Sequence, residues 1–391
     1  MIRVVEIITD SNIGGAGRLL IARLKNSNKN RFQTIVVLPR GSLLVPVFSD
    51  IGIKTIEIHS CRDRSFDFFA IFELFVVLKK IKPHIVNCHG CLAGRIAARI
   101  LNIPIKIYTR HCFYPLTRVK RSKLWKRVVG RLQCVLSDRV IAVADAAKTN
   151  LIESGVPNDR IEVIINGAEP IKIENADSRQ RIKADLRISP FDTVVTICGR
   201  METCKGQHVL LRSAKLLLSQ EEHFVFLFVG GGSMMDKTIS MARSFGIYGQ
   251  CRFTGFVEDV TPYMNITDIL VNCSIGTETS SLSLSEGMSI GIPIVASDYG
   301  GNPHMVKHGV NGLLYPQNDP EALAENIMRL KNDREMYNRM SCNAKKRYEE
   351  EFRAEIMTRK TECLYEKLYS EKEKGTLEDT DSENCADKAS N

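Results

Sequence analysis

The sequence predicts an α/β protein built from two doubly wound domains. Short apolar, β-branched runs alternate with helical segments along most of the chain, a pattern typical of parallel βαβ sheets. The length of 391 residues exceeds what one ordinary core requires and favours two domains. Polar and glycine-rich loops follow several of the apolar runs, at the carboxyl edge where doubly wound sheets bind ligands.

The first domain is expected over residues 1–170. Strands are predicted at 4–8, 34–38, 53–58, 84–88 and 105–108, with helices at 68–81 and 92–101. The Gly14-Gly15 turn lacks the third glycine of the dinucleotide fingerprint, so it is either a plain tight turn or a loop that lets a phosphate or sugar approach the backbone. His89 and His111 each end a predicted strand, and each is either a satisfied loop histidine or a site residue.

The second domain is expected over residues 191–345. Residues 171–190 are charged, end in Pro190 and are interpreted as a linker. A charged helix is predicted at 346–370. The acidic segment 371–391 lacks a hydrophobic pattern, and we expect it to be disordered.

Two carboxylates, Glu278 and Glu286, frame a polar loop between two apolar strands of the second domain. A helix that carried both would separate them by about 12 Å, the span from a ribose across a diphosphate to a sugar. The residues between them present backbone N–H groups at a predicted helix start, where an anion is bound without a basic side chain; they are Thr279, Ser280, Ser281 and Leu282. The alternative is structural. Residues Ser283 to Glu286 match a capping box, in which the Glu286 side chain would only satisfy backbone groups of its own helix. Glu278 would then be a solvated carboxylate on the loop.

A cationic pair, Arg200 and Lys205, follows the predicted strand 193–198. It lies on a loop before a predicted helix at 207–219. Such a pair can neutralise a diphosphate leaving group, because arginine offers a planar fork and lysine a point charge. Two basic residues on a loop can also be merely solvated.

Positive charge is concentrated in the first half of the chain. Residues 1–170 carry a net charge of +14, against +9 for the whole chain. Residues 115–132 combine basic residues without any acid and apolar residues at helical spacing; the predicted membrane-binding set is Arg118, Lys120, Arg121, Lys123, Trp125, Lys126 and Arg127. A helix of this kind binds an anionic membrane surface, and the alternative is the solvated face of an ordinary helix. We expect no nucleic-acid partner, since no basic–aromatic ladder or nucleic-acid-binding motif is present.

Composition narrows the class of protein further. No window reaches eighteen uninterrupted apolar residues, and the opening MIRVVEIIT resembles a strand rather than a signal peptide. A cytoplasmic protein, peripheral at the inner face of the cytoplasmic membrane, is therefore expected. The cysteines are scattered, and Cys88-His89-Gly90-Cys91 has no second pair, so we expect no zinc site.

Taken together, these motifs resemble the retaining glycosyltransferases of the GT-B fold, glycosyltransferase family four. Glu278 and Glu286 match the family's E-x7-E element. Residues 291–295 and 300–303 match the short strand and the Gly-Gly turn that follow this element in the family. The Gly-Arg…Lys-Gly frame around Arg200 and Lys205 also matches. The chain departs from the family after Glu278, where Gly-Phe-Gly is common and Thr-Ser-Ser stands here, which leaves the donor sugar open.

The resemblance implies two domains facing across a cleft, with the helix 346–370 crossing back to the first. It implies retaining transfer of a hexosyl unit from a nucleotide-diphosphate sugar, with neither metal nor other cofactor. The implied catalytic residues are Glu278 at the sugar hydroxyls, His111 at the donor sugar, and Arg200 and Lys205 at the diphosphate. The other implied donor contacts are Glu286 at the ribose, Gly15 from the first domain, and Phe256 and Val257 beside the base.

The expected acceptor is a saccharide, either lipid-linked or an oligosaccharide, in cell-surface polysaccharide or glycolipid synthesis. Two other functions are compatible with the same architecture. One is a nucleotide-sugar epimerase, which would need no basic membrane helix. The other is a catalytically silent partner that binds a sugar nucleotide or another transferase. Fold alone does not separate these three.

Overall fold

The computed structural model describes residues 1–59, 67–112 and 122–388, with side chains as far as Lys374. Its strands form two separate sheets, one in each half of the chain, and every pairing within them is parallel. The prediction of an α/β protein with two doubly wound domains is thereby confirmed.

The first sheet contains seven described strands: β1 (Ile2–Ile8), β2 (Phe32–Pro39), β3 (Lys54–Ile58), β4 (Ile85–His89), β5 (Ile105–Arg110), β6 (Arg139–Ala142) and β7 (Ile161–Val163). The described helices around it are α1 (Gly15–Lys25), α2 (Leu44–Asp50), α3 (Phe68–Ile81), α4 (Leu92–Ile100), α5 (Lys123–Leu136) and α6 (Asp145–Glu153). The strand order is β3-β2-β1-β4-β5-β6-β7. The direction of winding reverses between β1 and β4, so the loops after these strands diverge and leave a crevice.

The second sheet contains six described strands: β8 (Thr193–Cys198), β9 (Phe224–Val229), β10 (Cys251–Phe253), β11 (Ile269–Asn272), β12 (Ile294–Ser297) and β13 (Gly312–Tyr315). The α-helices described from there to residue 347 are α7 (Ala176–Asp185), α8 (Gln207–Leu218), α9 (Met235–Ser244), α10 (Thr261–Asn265), α11 (Leu282–Ser289), α12 (Asn302–Met305), α13 (Pro320–Asn332) and α14 (Arg334–Arg347). The order β10-β9-β8-β11-β12-β13 reverses between β8 and β11.

Strand β9 shows why the strands of this sheet are apolar throughout. Phe224, Phe226 and Phe228 pack into the hydrophobic cluster on one face of the sheet. Val225, Leu227 and Val229 pack into the cluster on the other face. A strand covered by helices on both sides has no solvent face, so it shows a continuous apolar run instead of alternation.

The C-terminal part of the chain returns to the first domain. A π-helical turn, Tyr348–Phe352, follows α14, and the last helix is α15 (Ala354–Lys388). On α15, Met357, Leu364, Tyr365 and Leu368 pack into the same cluster as Ile2 and Val4 of β1. The helix therefore ties the second domain to the first.

The predicted single helix at 346–370 was wrong, because the chain contains two helices separated at Arg353. There the backbone is extended, with ψ 144°. Ala168 donates to the carbonyl of Phe352 at 2.9 Å and accepts from Ala354 at 3.0 Å, so pairing with the domain connection interrupts the helical pattern.

Two further expectations differ from the structure. The predicted linker 171–190 contains α7, whose first turn is capped by the side chain of Asn175. The segment expected to be disordered from 371 continues α15 as far as Lys388. Residues 371–374 alternate glutamate and lysine, both good helix formers, which extends a helix that packing has already nucleated.

Candidate active site

The candidate site residues lie where the carboxyl edges of the two sheets meet. The hydroxyl of Thr279, on the loop after β11, donates a 2.7 Å hydrogen bond to the backbone oxygen of His111, which follows β5. Arg18 on α1 forms an ion pair with Glu286 on α11, with 3.2 Å between Nη2 and Oε1. These contacts join the two domains, so the loops at both reversal points border one cleft.

Glu278 is buried, with 4% of its surface exposed. Its Oε2 accepts from Lys205 Nζ at 2.7 Å, from Ser274 Oγ at 2.6 Å and from Asn272 Nδ2 at 3.3 Å. Burial alone would raise the pKa of Glu278, but the Lys205 ammonium and these hydrogen bonds hold it below its ordinary value. Among the described residues, no group bonds to Oε1, which leaves an ionised oxygen to accept from a ligand hydroxyl.

Glu286 is also buried, and its environment differs from that of Glu278. Burial raises the pKa of Glu286 to about 7, although the Arg18 guanidinium opposes that shift. The two carboxyl groups of the E-x7-E element therefore differ in protonation near neutral pH. Such a separation of pKa values is characteristic of functional sites, although structural pairs also produce it.

The structural alternative for both glutamates was wrong. Helix α11 begins at Leu282 with Ser281 as its N-cap, and no side chain caps it. Glu286 lies beyond the first turn, so the capping box with Ser283 does not form. Glu278 is buried rather than solvated. The helical spacing of about 12 Å does not apply either, because Glu278 precedes the helix.

The loop between the glutamates is constrained by close backbone contacts. Thr277 has a φ of 55°, a left-handed conformation that is strained for a β-branched residue. A Cβ on Gly301 would lie 1.4 Å from the carbonyl oxygen of Thr279, so only glycine fits there. The loop thus reaches the start of α11 with Ser280 Oγ buried and without a partner among the described residues. Backbone N–H groups at such a helix start favour an anion.

Arg200 and Lys205 border the same cleft from the loop after β8. Arg200 is exposed, whereas Lys205 ends the 3₁₀ turn Thr203–Lys205 and bonds Glu278. Gly206 follows with a φ of 68°, and a Cβ there would lie 2.0 Å from the carbonyl oxygen of Cys273. This close approach places the Lys205 loop against the end of β11. Lysine has three N–H donors, so Lys205 can bond Glu278 and a phosphate together.

His111 lies in the first domain at the domain contact described above. Its Nε2 is 2.8 Å from Nδ1 of His89, and its own Nδ1 is buried without a partner among the described residues. Burial lowers the pKa of His111 to about 3, so the ring is neutral. The two histidines predicted at strand ends are therefore in direct contact.

The remaining predicted donor contacts lie at the start of α1 and after β10. Gly15 is the first residue of α1, three residues before Arg18, with no atom within 4 Å of a Cβ placed on it. Phe256 is 63% exposed and follows β10, and Val257 is half-buried beside it. The backbone N of Phe256 would lie 3.1 Å from a Cβ on Gly231, so the turn after β9 packs against it. The roles of these residues stay predictions.

The predicted membrane-binding helix begins later than expected. Lys123, Trp125, Lys126 and Arg127 lie on α5, where the hydroxyl of Ser122 accepts from the backbone N of Trp125 as an N-cap. Arg118, Lys120 and Arg121 lie outside the described residues. Trp125 is 39% exposed and Leu124 74% exposed, so α5 presents apolar surface beside its basic residues. Within the part of the chain that the structure describes, no helix is both long and apolar enough to span a bilayer.

Several residues around the site were not predicted from the sequence. Ser274 and Asn272 hold Glu278, and Arg18 pairs with Glu286 across the domain boundary. Arg18 lies in the first turn of α1, three residues after Gly15, and a basic residue just after a glycine turn was a usable signal. No sequence signal marked Ser274 and Asn272 as site residues, because polar residues at a strand end are common.

Comparison with known proteins supports the architecture. Residues 13–171 match Glycosyltransferase Family 4, and residues 178–347 match Glycosyl transferases group 1. The chain is 27% identical over 296 residues to the UDP-Gal:alpha-D-GlcNAc-diphosphoundecaprenol alpha-1,3-galactosyltransferase of Escherichia coli, covering 73% of this chain and 76% of that relative. It is 29% identical over 297 residues to the D-inositol 3-phosphate glycosyltransferase of Streptomyces griseus, covering 66% of this chain and 62% of that relative.

A solved structure shares the fold over nearly the whole length. Anabaena Alr3699/HepE, in complex with UDP and glucose, superposes with a TM-score of 0.80 at 20% identity, covering 93% of this chain and all of that one. The family matches, the named relatives and the two facing parallel sheets agree with one another. The chain is therefore an enzyme, a hexosyltransferase of the GT-B fold that belongs to the family 4 and group 1 glycosyltransferases.

Proposed function

We propose that this enzyme transfers a hexosyl unit from a nucleoside-diphosphate sugar, with retention at the anomeric carbon, to a lipid-linked saccharide acceptor. The observation that carries the donor half of this proposal is the buried, ionised Glu278, held by Lys205 beside the start of α11. A carboxylate accepts sugar hydroxyls, and a lysine with helix-start amides binds the adjoining diphosphate. One group of side chains thus serves both halves of a sugar nucleotide.

Each site residue has a place in this proposal. Glu286 accepts the ribose hydroxyls, and Glu278 accepts hydroxyls of the donor sugar. Lys205 and Arg200 neutralise the diphosphate together with the N–H group of Leu282 at the start of α11. His111 lies beside the sugar, and Gly15 permits close approach of the donor from the first domain. Phe256 and Val257 border the base.

Catalysis then rests on electrostatic stabilisation of the leaving diphosphate. As the bond to the anomeric carbon breaks, negative charge grows on the β-phosphate, next to the ammonium of Lys205 and the N-terminus of α11. Fixed charges and dipoles aimed at a developing charge lower the barrier without reorganising. No side chain is assigned as a nucleophile. The departing phosphate oxygen takes the proton of the acceptor hydroxyl on the same face of the sugar, which gives retention. These positive groups need no metal to neutralise the diphosphate.

The membrane half of the proposal rests on the first domain. Helices α3 and α5 both begin at the carboxyl edge of the first sheet, because each follows a parallel strand. Phe68, Phe69 and Phe72 on α3 are 74%, 79% and 70% exposed. With α5 they provide apolar and basic surface near the mouth of the cleft, which suits an anionic lipid surface. The named Escherichia coli relative acts on a diphosphoundecaprenol-linked sugar, which supports a lipid-linked acceptor here.

Binding of nucleotides tests the donor half. Calorimetry with UDP, GDP and ADP in EDTA should show binding of at least one, since Lys205, Arg200 and the α11 amides supply the positive groups. The natural donor is then found by incubating the enzyme with a panel of labelled sugar nucleotides and a membrane extract. Absence of binding by all three nucleotides in EDTA would contradict the proposed site. Turnover of a sugar nucleotide without any acceptor to an epimer would favour the epimerase alternative.

Sedimentation with vesicles tests the membrane half. Binding should require anionic lipid and decline with salt, since screening at about 0.15 M limits such attraction to about 8 Å. Changing Lys123, Lys126 and Arg127 to serine should weaken binding. A matched control changes the exposed Lys345, Lys346 and Lys360 of α14 and α15 to serine and should bind as the unchanged protein does. Equal binding to neutral vesicles, or none to either, would point to an acceptor that is not in a membrane.

A further inference from the structure

A buried polar cluster leads from the core of the first domain to His111. Its centre is Glu6 of β1, which is 0% exposed. Oε1 of Glu6 contacts the guanidinium of Arg23 on α1 and accepts from the hydroxyl of Tyr365 on α15 at 2.9 Å. Oε2 lies 2.8 Å from Nε2 of His89. The carboxylate thus joins α1, β4 and the C-terminal helix at one point.

The cluster continues from His89 to the cleft. Nδ1 of His89 lies 2.8 Å from Nε2 of His111, and the two rings are nearly parallel, with planes 17° apart. Glu6, His89 and His111 therefore form a continuous row of hydrogen-bonding groups. The row ends at Nδ1 of His111, which is buried and has no partner among the described residues.

The charges in the cluster determine which atoms carry protons. Burial would raise the pKa of Glu6, but Arg23 and then His89 lower it to about 2, so the carboxylate is ionised and only accepts. Nε2 of His89 must therefore carry a proton. Arg23 already balances the charge of Glu6, so a cationic His89 would be an uncompensated buried charge, which is costly. Nδ1 of His89 is therefore left to accept.

The same argument then applies to His111. Because Nδ1 of His89 accepts, Nε2 of His111 must donate. His111 is itself neutral, since burial lowers its pKa to about 3. A neutral imidazole carries one proton, so Nδ1 of His111 is left as an acceptor.

We propose that Glu6 and His89 are positioning residues that hold the proton of His111 on Nε2 and so present Nδ1 as the acceptor of a hydroxyl hydrogen bond from the bound sugar. The inference rests on the proposed function, because the sugar supplies that hydroxyl. Arg23 keeps Glu6 ionised. A structural cluster without this purpose would gain little from a buried carboxylate and two histidines, because apolar side chains of the same volume usually fill such a space at no loss of stability.

The proton pattern is measurable in the unchanged protein without any ligand. The full chain is labelled with ¹⁵N-histidine, and the ring nitrogens are observed by NMR at neutral pH. The chain has eight histidines, and the variants His89→Gln and His111→Gln assign the two relevant rings. We expect Nε2 of both rings to be protonated and Nδ1 of both to be unprotonated. A proton on Nδ1 of His111 would overturn the proposal.

The variant Glu6→Gln tests whether this pattern matters for transfer. Arg23 and Tyr365 need an acceptor, so the carboxamide oxygen faces them and its N–H group faces His89. The row of protons should then reverse, and Nδ1 of His111 should become protonated. We expect kcat to decline about 10- to 100-fold, the loss typical when the outer partner of a metal-binding histidine is changed, while the affinity for UDP stays unchanged.

Tyr365→Phe is the matched control. It also removes one buried hydrogen bond from Glu6 but leaves the contact between Glu6 and His89 intact. We expect a lower Tm with an unchanged NMR pattern and little change in kcat. Equal loss of kcat in both variants, or an unaltered His111 signal in Glu6→Gln, would show that the cluster has only a structural role and would overturn the proposal. Failure of UDP, GDP and ADP alike to bind the unchanged protein would contradict the proposed function instead, and the NMR result would be unaffected.

Discussion

Replacing Glu286 by glutamine should stabilise the protein and weaken nucleotide binding at the same time. Burial raises the pKa of Glu286 from an ordinary value of 4.5 to about 7. The folded state therefore binds this proton more tightly than the unfolded state does. The resulting stability is fully present below pH 4.5 and is lost as the pH rises through about 7.

The size of the effect follows from the same shift. A rise from 4.5 to about 7 corresponds to about 3 kcal/mol of folding free energy that is lost once Glu286 ionises. Glutamine has a similar shape, can still bond Arg18 and does not ionise. Glu286→Gln should therefore be more stable than the unchanged protein by about 3 kcal/mol well above pH 7, with little difference near pH 4.5.

Nucleotide binding should change in the opposite direction. Hydrogen bonds from ribose hydroxyls to a charged acceptor contribute about 1.5–3 kcal/mol, so the variant should bind UDP about 10- to 100-fold more weakly. For the unchanged protein, UDP affinity should decline as the pH decreases below about 7, because protonated Glu286 is a poorer acceptor.

Denaturant unfolding at two pH values and calorimetric titration with UDP provide both measurements. The control is Glu325→Gln, an exposed glutamate on α13, which should change neither quantity. The reasoning is refuted if Glu286→Gln is less stable above pH 7 while UDP affinity is unchanged, since that pattern belongs to a purely structural glutamate.

Three further predictions concern the surroundings of the cleft. Lys205→Met should cost about 1–3 kcal/mol by leaving buried Glu278 without its ammonium partner, and adding Glu278→Gln should recover most of that stability in denaturant unfolding while transfer stays absent. Gly301→Ala should abolish UDP binding in calorimetry, because the new Cβ would lie 1.4 Å from the carbonyl oxygen of Thr279, whereas Gly15→Ala, with open space around it, should fold normally. Arg18→Met should shift the pH at which UDP affinity declines upwards, since Arg18 opposes the raised pKa of Glu286; an unmoved midpoint would show that the pair is not formed in solution.

The hydrophobic periodicity of the sequence was sufficient to predict the α/β class and most strands, because this periodicity is a local property. A strand such as β9 must be apolar at every position when helices cover both faces, and this is visible in the residues themselves. The ends of helices were predicted less accurately than their presence. The break at Arg353 depends on pairing with Ala168, 185 residues earlier, which no local pattern encodes.

The candidate site also combines features that the sequence predicted with features that it did not. Its residue types and spacing, from Arg200 and Lys205 to Glu278 and Glu286, were visible in the sequence because chemistry requires those side chains on loops after strands. Whether Glu286 caps its helix or stands as a buried, partly protonated carboxyl depended on where α11 begins and on Arg18 of the other domain.

The sequence by itself thus determined the two doubly wound domains and the loops that carry the chemistry. Only the tertiary structure decided the protonation of Glu278, Glu286 and His111. A pKa depends on burial and on charges within a few ångströms, and here those charges come from residues as distant in the chain as Arg18 and Glu286. The link from Glu6 to Tyr365 likewise exists only once α15 has packed back against the first sheet.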